Sequence, residues 1–202
     1  MTMDAIDAIR GRRSLRQLSE APVSREVVDE LLALARLAPA PHHTRPWRYV
    51  VVSRERRDAL AERMGAAWRA DLERDGHPGE LIAKLLRKSH RQITTAPALI
   101  LACLTHEGLR DWPDERRARN EFAMAQQSVG AGMQNIMLAA HAMGLASYWI
   151  SAPLFAPEAA RDALDLPDDW IAQAFVVVGH PAAGAEPKSR PASGASALIV
   201  ER

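Results

Sequence analysis

A chain of 202 residues with 48% hydrophobic and 25% charged side chains has the profile of a globular protein large enough for a sizeable core, expected as one domain over residues 1–202. Its formal net charge of +1 disfavours a nucleic-acid surface, which brings a strongly basic balance. One cysteine excludes an internal disulfide and argues against a cysteine-rich zinc site, and no apolar run approaches the about 20 residues of a membrane span, so no membrane partner and a cytoplasmic location are expected.

Residues 3–10 read as a short helix with Ile6 and Ile9 inward, ended by Gly11. Ser24 can cap a second helix, whose apolar positions Val27, Val28, Leu31, Leu32, Leu34 and Ala35 keep helical period until Pro39 and Pro41 stop it. Residues 49–52 form a β-branched strand. A helix over about 54–74 breaks at Asp75-Gly76-His77-Pro78, and another runs over about 79–91. Residues 98–104, opened by Pro97, make a second buried strand that holds Cys103 as a small hydrophobe. An irregular loop over 105–114 precedes a long helix, about 119–143, with small residues over much of its surface; this predicts a central or interface position. Strands over 145–150 and 175–178 flank a short helix over 157–164, and residues 197–200 could add an edge strand. The order predicts a mixed sheet flanked by helices.

Four segments carry groups for chemistry. In Arg10-Gly11-Arg12-Arg13-Ser14-Leu15-Arg16, an extended backbone would turn Arg12, Ser14 and Arg16 to one side, where guanidinium forks and a hydroxyl match phosphate; a solvated basic turn is the other reading. The stretch 38–47 holds three prolines, His42, His43 and Arg45 at a strand entrance. Its histidines lack a third ligand at metal spacing, so no metal is expected, and hydrogen bonding to a polar ligand, with Arg45 on an anionic group, fits better. Trp68 to Leu72, followed by Lys84, Arg87, Lys88, His90 and Arg91, is either a solvated face or a cationic cover over an acidic ligand. Residues 144–153 read as a strand that ends at Ser151 and Pro153. The sequence contains no Gly-x-Gly-x-x-Gly turn, Walker loop or Gly-x-Ser-x-Gly elbow. Anion-binding elements without an obvious nucleophile point to a bound cofactor that carries the chemistry.

Arg12-Arg13-Ser14-Leu15-Arg16, Ala38-Pro39 leading to Pro46-Trp47-Arg48, Gln134-Asn135 and Gly144-Leu145, in this order and spacing, resemble the nitroreductase family of FMN-dependent oxidoreductases over nearly the whole chain. Residues 38–46, Trp68 to Leu72 and Asp165-Leu166-Pro167 with Trp170 look more narrowly like the C-terminal flavin domain of bifunctional enzymes of coenzyme F-420 biosynthesis. The resemblance implies an α+β sandwich that forms a homodimer with FMN between subunits, NAD(P)H as a donor, and reduction of the dehydro precursor of F-420. A general nitro or quinone reductase and a non-catalytic binder of F-420 or FMN are the alternatives. By position, the resemblance assigns FMN contacts to Arg12, Arg13, Ser14, Arg16, Ala40, Ser151 and one of Lys188 or Arg190, and an F-420 contact to Asp71. His43 and Arg45 stand where ordinary nitroreductases have asparagine and glutamine, so they are expected on the substrate, with His43 a proton donor beside solvent. Ala146 replaces a frequent glycine and Ala152 a serine. The ligase domain of the bifunctional enzymes has no counterpart, which implies that another protein performs glutamylation.

Overall fold

The computed structural model describes residues 3–189, so Arg190 and the strand expected over 197–200 lie outside the described residues. Four strands, β1 (Trp47–Val51), β2 (Ala98–Thr105), β3 (Ala146–Ile150) and β4 (Trp170–Gly179), form one sheet in the order β1-β2-β4-β3. Every residue of β2 is buried, because helices cover both faces of the sheet. One face packs on α2 (Arg25–Ala35) and α5 (Glu115–Ala142) around Leu31, Ile100, Ile136 and Val176. The other packs on α3 (Arg54–Arg74) and α7 (Pro157–Ala163) around Leu60, Leu101, Phe175 and Val177. Ser24 caps α2 as expected, its Oγ accepting from the Val27 N–H at 3.3 Å.

The α+β class holds, but all three strand pairs are antiparallel where a mixed sheet was expected. The connections explain this. Between β1 and β2 the chain goes out along α3 and returns along α4 (Gly79–Thr94), so β2 starts at the end where β1 stopped. The single helix α5 returns the chain so that β3 runs in the same direction as β2, but β4 lies between them. Among the described residues, parallel pairing is confined to one bridge, Ser14 with Ser147. A bulge between Ala102 and Cys103 leaves Gln173 of β4 without a register partner; its side chain accepts from Gln126 Nε2 on α5 at 3.1 Å.

The first helix, α1 (Ala5–Gly11), corrects a second expectation. Ile6 and Ile9 are 55% and 51% exposed, and Ala8 is the buried residue. At the end of α1 a Cβ on Gly11 would lie 2.6 Å from His141 Nε2 of α5, so the helix meets α5 through its small residues rather than its isoleucines.

The small residues of α5 admit its neighbours closely. A Cβ on Gly132 would stand 2.1 Å from Tyr49 Oη and 3.2 Å from the Ala35 carbonyl oxygen. We expect Gly132→Ala to cost about 2 kcal/mol through overpacking. Tyr49→Phe in the same chain removes the clashing oxygen and should recover more than half of that loss in urea denaturation. Equal losses in the single and double variants would refute the contact.

Candidate active site

The arginine segment leaves α1 and runs beside β3. Leu15 donates its N–H to the Ser147 carbonyl at 3.3 Å, and Arg16 lies 5.5 Å from the centroid of the Tyr148 ring. Because the Ser14–Ser147 bridge is parallel, the segment advances in the direction that takes β3 to Ser151. Arg12, Ser14 and Arg16 therefore share a sheet edge with Ser151. Arg13 is engaged elsewhere: its Nη1 donates to the carbonyls of Arg10, Gly11 and Arg12 at 2.6, 3.2 and 2.9 Å, which closes the end of α1. The chain beyond β4 returns to the same segment. Ser19 donates to the His180 carbonyl at 2.9 Å and Ala182 to the Gln17 carbonyl at 3.0 Å, and exposed Lys188 lies six residues farther on.

Ser151 and Asp71, far apart in sequence, line one cavity of about 540 Å³ between α3, α4 and α6 (Ala152–Phe155). Trp68, Leu72 and Phe155 give it apolar and aromatic walls, and Arg74 donates from Nη1 to Asp71 Oδ1 at 2.8 Å. A cavity of this size, mostly apolar with a few polar groups, is the usual setting of a small ligand. Phe155, 80% exposed at the rim, was not singled out in the sequence; its signal is an aromatic at the end of the one-turn helix that Ser151 opens.

The proline loop takes a different form from a plain turn. His42, His43 and Arg45 all have left-handed backbone, with φ of 54°, 57° and 49°, a conformation that non-glycine residues adopt at a cost. The second loop, 105–114, holds it in place. Thr105 donates its N–H to the Pro46 carbonyl at 2.9 Å, Arg48 pairs with Glu107, and Arg110 Nη2 lies 3.3 Å from His42 Nδ1. Buried Glu121 of α5 anchors that second loop by accepting from Trp112 Nε1 at 3.1 Å. Arg110, unmarked in the sequence, thus meets His42, while His43 and Arg45 stay exposed and Ala40 is half-buried against the α2–α5 core. Trp47 is core, as expected.

The loop and the arginine segment do not meet within one chain. The loop enters β1 at Trp47, level with Leu104, whereas Ser14 sits beside Ser147, level with Val178 and so with Ala98. Four strand spacings and six residues along a strand separate these corners, about 19 Å across and about 20 Å along. Ser14 is thereby diagonal to the loop that carries Ala40, His43 and Arg45, and Ser151, at the end of β3, lies across the sheet from that loop and shares the cavity with Asp71.

The donor set beside β3 suits a phosphate ester, with two guanidiniums and a hydroxyl on an extended segment at the surface. Among the described residues no group of three or more His, Cys, Asp or Glu side chains could hold a metal ion, and no helix is long and apolar enough to cross a membrane. The Nitroreductase family model matches residues 9–180. The chain is 30% identical over 193 residues to the 5,6-dimethylbenzimidazole synthase of Rhodospirillum rubrum, covering 88% of this chain and 82% of that protein. It is 27% identical over 184 residues to a Bacillus subtilis protein named as an NAD(P)H nitroreductase, YfhC, covering 91% and 88%. A crystal structure from Desulfovibrio desulfuricans, named as a nitroreductase in complex with FMN, superposes with a TM-score of 0.71 at 25% identity, covering 100% of this chain and 98% of the other. With the model match spanning both loops, the long helix and all four strands, the chain belongs to the nitroreductase family of FMN-dependent oxidoreductases.

Proposed function

We propose that this chain reduces an anionic, unsaturated acceptor with FMN as its cofactor, and that the acceptor is the dehydro precursor of coenzyme F-420. The observation that carries this reading is the shared cavity of Ser151 and Asp71, reached along the same edge as Arg12, Ser14 and Arg16. Those three side chains hold the FMN phosphate, with Lys188 or Arg190 completing the charge. FMN bound there would supply hydride chemistry, with NAD(P)H as its reductant. Ser151 and the Trp68 and Phe155 walls position a flat ring and exclude water from it. Asp71 fixes the polar part of the acceptor, and its ion pair with Arg74 orients its carboxylate.

The diagonal placement of the proline loop supports a homodimer. A two-fold axis sets the loop of one copy over the arginine edge of the other, so that Ala40 reaches the flavin and His43 and Arg45 reach the acceptor. Arg45 then neutralises acceptor charge, and His43 or solvent returns the proton.

Anaerobic stopped-flow tests the substrate. Pre-reduced protein should be reoxidised at least about tenfold faster by the dehydro precursor than by a nitroaromatic of equal concentration. The reverse order would favour the general nitro and quinone reductase reading, which the aromatic walls also accommodate. Asp71→Asn should lower kcat/KM for the precursor about tenfold, the value of one charge-assisted contact, and leave FMN affinity within twofold. An unchanged kcat/KM would remove Asp71 from the acceptor site.

A further inference from the structure

The opposite side of the α3–α4 hairpin carries a separate feature. On α4, Lys84, Arg87, Lys88 and Arg91 follow at helical spacings of three and four and form one exposed stripe. They line a groove of about 850 Å³ together with Arg69 of α3 and His90. The α3 wall is made of small residues, Ala61, Gly65 and Ala66, and Glu62 is the one carboxylate of the lining. This groove is distinct from the cavity of Asp71 and Ser151: on α3, Trp68, Asp71 and Leu72 face that cavity, whereas Glu62, Gly65 and Arg69 face the groove.

Charge balance sets the stripe apart. Arg69 has Glu73 at 3.7 Å and His90 has Asp58 at 3.6 Å, but Lys84, Arg87, Lys88 and Arg91 form no ion pair among the described residues. Like charges four apart on a helix, here Lys84 with Lys88 and Arg87 with Arg91, destabilise it. Four such cations on one face of a chain whose net charge is only +1 mark a concentrated field rather than a general basicity. Apart from His90 the groove has no aromatic side chain, so it offers no stacking platform for a base or a flavin ring. Recognition there rests on charge, along a stripe of about 10 Å by the helical rise over seven residues.

We propose that this groove binds a small oligoanion, a flexible chain with several phosphate or carboxylate groups. Guanidinium forks and ammonium groups suit both chemistries. The groove volume lies in the range of small-ligand sites.

Isothermal titration calorimetry of the full chain with tripolyphosphate, tetraglutamate and orthophosphate tests this. Tripolyphosphate or tetraglutamate should bind saturably at one site, at least about tenfold tighter than orthophosphate, and more weakly as salt is raised. Preference for the first identifies a phosphate ligand, and for the second a carboxylate ligand. Arg87→Glu with Lys88→Glu should weaken binding about tenfold or more. The same charge change on exposed Arg36 and Arg119, away from the groove, should leave it within twofold; melting curves check that both variants fold. No saturable binding, an equal loss in the distant variant, or displacement of both probes by a single-stranded oligonucleotide at equal charge would overturn the proposal. Binding is read without turnover, so its failure and that of the flavin reading are separate results.

Discussion

Replacing Arg12 and Arg16 together by alanine should weaken FMN binding by about hundredfold or more. Each guanidinium contributes a charge-assisted hydrogen bond worth about 1.5–3 kcal/mol, and about 1.4 kcal/mol is a factor of ten. The measurement is titration of flavin-free protein, followed by the quenching of FMN fluorescence. Arg13→Ala supplies the contrast, because its Nη1 is spent on three carbonyls at the end of α1. It should lower the melting temperature and leave FMN affinity within threefold. If Arg13→Ala weakened FMN binding as much as the pair does, the division of roles read from the hydrogen bonds would be wrong. For Arg16 the structural cost of the change is the modest worth of one cation–π contact with Tyr148.

Arg57→Met should destabilise the fold by about 3 kcal/mol. This guanidinium is 4% exposed and has no carboxylate partner among the described hydrogen bonds and ion pairs; it is satisfied by backbone alone. Its Nε and Nη2 each lie 3.2 Å from the Val52 carbonyl, and Nη1 donates to the Ala96 carbonyl. Val52 follows β1 and Ala96 precedes β2, so one side chain ties the two chain ends from which the α3–α4 hairpin springs. Methionine keeps the aliphatic stem but strands both carbonyls, each at a cost of about 1–3 kcal/mol. For a chain of this size that corresponds to a fall in melting temperature of about 6–12 °C. A fall under 2 °C would mean that water replaces the guanidinium at little cost. Burial also lowers the pKa of Arg57, though the group remains charged at neutral pH.

Much of the fold was legible because its signals are local. Gly76 has φ of 75° and breaks the chain where Asp75-Gly76-His77-Pro78 predicted, and the two helices it separates match the expected spans within a few residues. Strand direction was not legible. Residues 98–104 and 175–178 are apolar without alternation because helices cover both faces, a pattern that parallel sheets usually produce. The helix pairs between β1 and β2 and between β3 and β4 reverse the chain, and their packing is a tertiary fact. The start of β4 was missed because Gln173 interrupts the apolar run; the bulge that accommodates it is invisible in sequence. At the site, the arginines were marked by residue type and Asp71 by the family resemblance, but nothing in their spacing shows that Asp71 and Ser151 border one cavity. The inward assignment of Ile6 and Ile9 failed because helical period names two faces and cannot say which one α5 takes.

Cys103 carries a practical consequence of its position. It is the single cysteine, lies at the centre of β2 with 0% exposure, and burial pushes its thiol pKa up to about 12. In the native fold it is therefore inert to alkylating reagents, and a reagent reaches it only when β2 separates from its neighbours. The rate of labelling in excess reagent thus counts openings of the sheet itself, without an engineered probe. Slower labelling on addition of a ligand would read its stabilisation directly as a protection factor, in the same way as amide exchange but at one known atom.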